Sequence, residues 1–190
     1  AERTEQGLVL PALGSLRAYP RHASLRLEQS GDVTVLFAEG EVCNGDVEPV
    51  CHRIVRVLPL RKGRFFAEGV VSSTGACLGP TWFPLSREQT LLLPNGLQHK
   101  VEFTSTLSVT PEGILVDEQV LVHELDPRDP SMPSRLYRRS QAQRVLRVTG
   151  SRLVGSERSL WVRMLEPELQ AGAQPVKPAP PQQQTAEDKP

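Results

Sequence analysis

Gln98-His99-Lys100-Val101-Glu102-Phe103-Thr104-Ser105-Thr106-Leu107-Ser108-Val109 runs into Thr110-Pro111-Glu112-Gly113. Ile114-Leu115-Val116-Asp117-Glu118-Gln119-Val120-Leu121-Val122-His123-Glu124-Leu125 follows at once. In the first run Val101, Phe103, Leu107 and Val109 fall at period two, with polar residues between them. Side chains alternate across a strand, so this spacing makes one apolar face and one wet face. Thr-Pro-Glu-Gly is turn chemistry: proline presets φ at the second position of a type I turn, and glycine suits the fourth. The two runs together predict a long antiparallel hairpin over 98–125. In its second arm Ile114, Val116, Val120 and Val122 share one parity, and Leu115, Leu121 and Leu125 the other. Either both faces are covered, or a bulge near 117–119 shifts the phase. A run covered on both faces belongs inside a sheet.

The same strand-and-turn grammar extends outward in both directions. Residues 23–28 alternate, Gln29-Ser30-Gly31-Asp32 is a turn, and 33–38 return as a partner strand. Residues 53–58 read as a strand broken by Pro59 to Gly63, and 64–71 as another. Residues 72–87, rich in Ser, Gly and Pro, read as irregular, with Trp82-Phe83 a loop plug or an exposed partner patch. A short strand is expected at 91–93, with a helical turn over 134–141. The last strand pair is expected at 143–149 and 159–165. Turn signals recur throughout, and no alternation of strands with helical segments appears. This predicts an all-β chain: an antiparallel β-sandwich, or flattened barrel, of about 9–10 short strands. The expected boundaries are a flexible arm at 1–13, the β domain at 14–166, and a disordered Pro/Gln-rich tail at 167–190.

Net charge is zero, which argues against a general polyanion-binding role. Its layout is uneven. Between Arg128 and Arg163 nine arginines face only Asp129 and Glu157, while the chain before 128 is acidic. Arg135, Arg138, Arg139, Arg144, Arg147 and Arg152 are therefore candidates for a surface that meets an anionic partner, such as a polysaccharide. The competing expectation is that they pair with the acidic front of the chain. Nucleic acid is disfavoured, because no aromatic residues interleave with these arginines as a stacking platform requires.

Cys43 and Cys51 bracket the turn-rich Asn44-Gly45-Asp46-Val47-Glu48-Pro49-Val50 between two strand-like runs. A disulfide closing that loop is predicted if the strands pair. Cys77 is expected to be a small buried thiol, with pairing or exposure as alternatives. The chain opens Ala1-Glu2-Arg3-Thr4-Glu5-Gln6, a short polar start such as a signal peptidase leaves. With the disulfide, this predicts a periplasmic or secreted location. No apolar run approaches the ~20 residues of a membrane-spanning helix, so no transmembrane segment is expected.

No Gly-x-Ser-x-Gly, His-Glu-x-x-His or glycine-rich phosphate loop occurs. His123-Glu124 and Asp117-Glu118 are neighbours in a strand, so each pair points to opposite faces and cannot share a metal. No catalytic residue, cofactor or metal is assigned. The wording Leu107-Ser108-Val109-Thr110-Pro111 followed by a second β-run is similar to hairpins of outer-membrane secretins, which implies a β-hairpin. The expectation is a non-enzymatic binding or assembly module of a bacterial-type cell envelope or secreted system, working through protein–protein contacts. The alternative is a carrier of a small apolar ligand in a β-barrel cavity.

Overall fold

The computed structural model describes residues 2–4, 7–9, 21–44, 50–129 and 132–176. The middle of the Cys43–Cys51 loop and the tail from 177 lie outside them. Within these residues the strands are β1 (Glu2–Thr4), β2 (Gly7–Val9), β3 (Arg21–Ser30), β4 (Val33–Asn44), β5 (Val50–Arg61), β6 (Arg64–Phe65), β7 (Val70–Val71) and β8 (Cys77–Gly79). They continue as β9 (Trp82–Pro84), β10 (Ser86–Leu92), β11 (Gln98–Thr110), β12 (Gly113–Leu125), β13 (Arg135–Thr149), β14 (Arg152–Val154) and, after helix α1 (Leu160–Gln170), β15 (Gln174–Pro175).

The predicted hairpin forms over its full length. β11 and β12 pair from Thr110↔Gly113 to Gln98↔Leu125 without interruption. Neither Pro111 nor Glu112 needs a positive φ, as a type I turn requires. β13 adds along the other edge of β12. These strands centre an eight-stranded sheet of order β15-β10-β11-β12-β13-β14-β7-β8. A second sheet has the order β3-β4-β5-β6, with β9 also on β5. β1 and β2 pair with each other.

The phase of β12 never shifts near 117–119. Ile114, Val116, Glu118, Val120 and Val122 are all buried on one face, and their odd-numbered neighbours are half-buried on the other. The irregularity falls later, between Val122 and His123, in the pairing with β13. Two bodies lie side by side on the even face. Over Ile114 and Val116 the five-stranded sheet contributes Val35, Phe37, Val55, Val57 and Phe83 to one core. Over Val120 and Val122 helix α1 contributes Leu160 and Trp161, with Phe103, Leu91 and Ala173, to a second core. The molecule is thus an antiparallel-dominated β-sandwich whose sheets stay open. It is not a closed barrel, and two apolar cores pack against the inner face of its large sheet.

Several expectations are corrected. Residues 159–165 begin a helix, not a strand. Leu160, Trp161, Met164 and Leu165 recur at helical spacing and face the second core. Ser159 caps the helix, its Oγ accepting from the Trp161 amide. An interior proline usually costs a helix about 3 kcal/mol, yet Pro167 is accommodated and α1 runs on to Gln170. The fold does not stop at 166: Leu91 and Leu92 of β10 pair with Pro175 and Gln174 of β15. Residues 134–141 hold no helical turn, because β13 starts at Arg135 and zips onto β12. Residues 72–87 carry β8, β9 and the start of β10.

Candidate functional site

The gap between the two bodies, on the inner face of the large sheet, is the most developed concavity with both charge and apolar walls. Arg87 lies opposite Phe103 in the β10–β11 register and so points to that inner face. Its guanidinium lies over the Trp161 ring, 4.8 Å from the centroid. Trp161 in turn meets Phe103 edge-on at 5.8 Å. Across the gap, β9 alternates. Phe83 is buried in the first core, whereas Trp82 is 41 % exposed. Trp82-Phe83 is therefore not a loop plug but part of strand β9 on β5, with Phe83 turned into the core and Trp82 left partly exposed. Trp82, Phe83, Arg87, Arg144, Ser159 and Trp161, with further apolar neighbours, enclose about 290 Å³. A contiguous cleft of about 320 Å³ shares Trp82, Pro84 and Arg87 and reaches His52 and Arg56. Arg87 lines a third hollow as well, beside His52 and Glu88. Burial lowers the Arg87 pKa from its ordinary value. Burial, and next the Arg87 charge, lower that of His52.

A buried ion pair lies behind the gap, and its Arg144 half lines it. Glu118 and Arg144, each about 5 % exposed or less, meet at 2.9 Å. Glu118 Oε1 also accepts from Ser159 Oγ at 2.9 Å, and Oε2 accepts from the Leu160 amide at 2.7 Å. The carboxylate therefore sits at the N-terminus of α1, where the helix dipole favours negative charge. Its cross-strand neighbours are small: Ser105 on β11 and Ala142 on β13. Arg144 also donates to the Glu157 carbonyl at 3.4 Å and lies 5.6 Å from the Phe83 ring centroid. Its Nε–H has no partner.

In sequence Arg144 stood out only as a candidate surface arginine, and Ser159 not at all. One signal was legible: Glu118 shares the parity of Ile114, Val116, Val120 and Val122, a carboxylate in the middle of an apolar face. The partners could not be read, because Arg144 and Ser159 lie 26 and 41 residues away.

The predicted disulfide is present. Cys43 and Cys51 face each other directly across β4 and β5, with Cα atoms 4.0 Å apart. Cys77 is a free, exposed thiol, not the buried one expected. Glu41 lies close to both disulfide cysteines, but their sulfurs are bonded to each other and offer no thiolate to a metal.

The six candidate arginines do not share one surface. Arg144 is buried on the inner face. Arg152, on β14, pairs with Glu68. Arg135, Arg138 and Arg139 are exposed on the first half of β13, before and around the irregular pairing, and Arg147 is exposed near its end. Arg139 and Arg147 share the outer face of the large sheet. Between them an open hollow of about 490 Å³ is lined by hydroxyls and amides, including Thr104, Thr106, Gln119, Gln141 and Gln143, with Asp117. With the Gln119 amide assigned from its hydrogen-bond network, its oxygen accepts from Arg139 and Gln141.

At the far side of the molecule, β3 ends the second sheet and pairs only with β4 among the described residues. Leu25 and Leu27 on it are each 61 % exposed. No described helix is long and apolar enough to cross a membrane. No family model, curated protein or solved structure matches the chain.

Proposed function

We propose that this chain is a non-enzymatic binding and assembly module of a bacterial-type cell envelope or secreted system, periplasmic or secreted itself, that engages a protein partner along the β3 edge. The observation that carries this reading is the β3 edge, which has no partner strand among the described residues and bears Leu25 and Leu27. A strand edge offers a row of free backbone donors and acceptors, and two outward leucines give an added strand something apolar to cover. The disulfide supports an oxidising compartment. The barrel-cavity carrier loses its basis, since the sheets do not close into a barrel.

The test is capture from an envelope extract with the native chain and with a Leu25→Lys/Leu27→Lys variant. Both positions are exposed, so the variant should keep its thermal midpoint within the small range of surface changes. A partner held by the native chain and released by the variant is the expected result. A partner set that is identical for the two chains overturns the edge assignment. A second reading, contact with an acidic polysaccharide, draws on Arg139 and Arg147 bracketing the hydroxyl- and amide-lined hollow. It requires salt-sensitive binding that an Arg139→Gln/Arg147→Gln variant loses.

A further inference from the structure

We infer that the gap between α1 and the five-stranded sheet is a binding site for a small monoanion, a carboxylate carried on a short apolar or aromatic body. The charge count defines the head group. Arg144 is balanced by Glu118, and Arg158 by Glu166 at 2.8 Å. Arg87 remains, with a ring contact but no hydrogen bond or ion pair among the described residues. One unmatched cation in a partly desolvated gap calls for one negative charge. A dianion would leave its second charge unpaired there, which is costly. A second donor is already in place: Arg144 lines the same pocket, is 5 % exposed, and its Nε–H lacks an acceptor. A buried donor without a partner costs free energy that an incoming oxygen would recover.

The walls define the body. Trp82 of β9 and Trp161 of α1 both line the pocket, with Phe83 and Leu78. The volume of this half-open pocket, about 290 Å³, is nearly twice that of a ~150 Å³ cavity that admits benzene. That suits one ring and a short chain ending in the carboxylate. The Glu118 carboxylate does not line this pocket and is already taken up by Arg144, Ser159 and the Leu160 amide.

Trp82 and Trp161 are the only tryptophans in the chain, so intrinsic fluorescence reports on the site directly. The native chain is titrated with 3-phenylpropionate, 3-phenylpropionamide and inorganic phosphate at pH 7, by fluorescence and by calorimetry. The acid should give a saturable change and bind at least about tenfold more tightly than the amide, or about 1.4 kcal/mol. Arg87→Met should lose the same factor while keeping its circular dichroism. If that variant fails to fold, Trp82→Ala, at a half-exposed position, must weaken the calorimetric affinity for the acid. Absence of saturation overturns the inference. So do equal affinities for acid and amide, tighter binding of phosphate, or native affinity in the variant that folds.

Discussion

A Cβ on Gly113 would stand 2.6 Å from the Leu146 carbonyl oxygen, and the residue has φ +145°, where an L side chain is strained. Glycine there lets the hairpin turn close while β13 lies against it. Gly113→Ala should therefore destabilise by about 2–4 kcal/mol, read as a lower urea midpoint. A change below about 0.5 kcal/mol, the usual range for neutral surface substitutions, would mean that the turn relaxes freely. His52 shows a different residue-level effect. Its pKa is lowered from 6.5 by burial and then by Arg87, with Glu88 opposing. The folded chain thus binds fewer protons at this site than the unfolded one, and His52 subtracts stability as pH falls below 6.5. Arg87→Met should raise the His52 midpoint in an NMR titration. No movement would show that Arg87 does not act on the ring. The need for glycine at 113 was visible in Thr-Pro-Glu-Gly. The His52–Arg87 relation was not, because the two residues are brought together by different sheets.

Among the elements, α1 is the one that local pattern misassigns. Leu160-Trp161-Val162 has strand-like composition, and Pro167 reads as a stop. The helix prevails because Ser159 and Glu118 satisfy its first amides and because Leu160 and Trp161 have the lower half of the large sheet to cover. Glu118 is therefore both the acceptor at the helix start and the counter-ion of Arg144. Glu118→Ala should cost about 3–5 kcal/mol, since it leaves a buried guanidinium unpaired. Glu118→Leu with Arg144→Met should cost much less, since both charges leave together. A double variant as unstable as the single one would show that the helix cap, not the buried charge, dominates. By contrast, β11, β12 and the β3–β4 pair were legible from period-two alternation and turn residues alone. β6, β7, β8 and β9 hold two or three residues each. That is too short for periodicity to register: β6 and β9 form on the edge offered by the long β5, while β7 and β8 pair with the short β14 and with each other.

For the whole molecule, the Cys43–Cys51 bridge ties β4 to β5 at the end of the second sheet. By the chain-entropy argument, closing so short a loop contributes about 2–3 kcal/mol. Reduction, or Cys43→Ser/Cys51→Ser, should lower the urea midpoint accordingly. Without reductant, a thiol reagent should modify one cysteine per native chain, Cys77. Modification of all three would contradict the pairing. Periodicity, turn chemistry and cysteine spacing by themselves determined the all-β class, the central hairpin with its register, and the disulfide. Each of these is local: the groups involved are neighbours in sequence or separated by a single turn. Tertiary structure alone decided that the sheets stay open, that α1 shares a face with the smaller sheet, and that Arg144 turns inward to Glu118 while Arg139 and Arg147 stay outside. It also decided that two tryptophans 79 residues apart flank one unmatched arginine. Those outcomes depend on which surfaces bury each other and which charges meet, and a linear pattern does not encode distances between segments far apart in the chain.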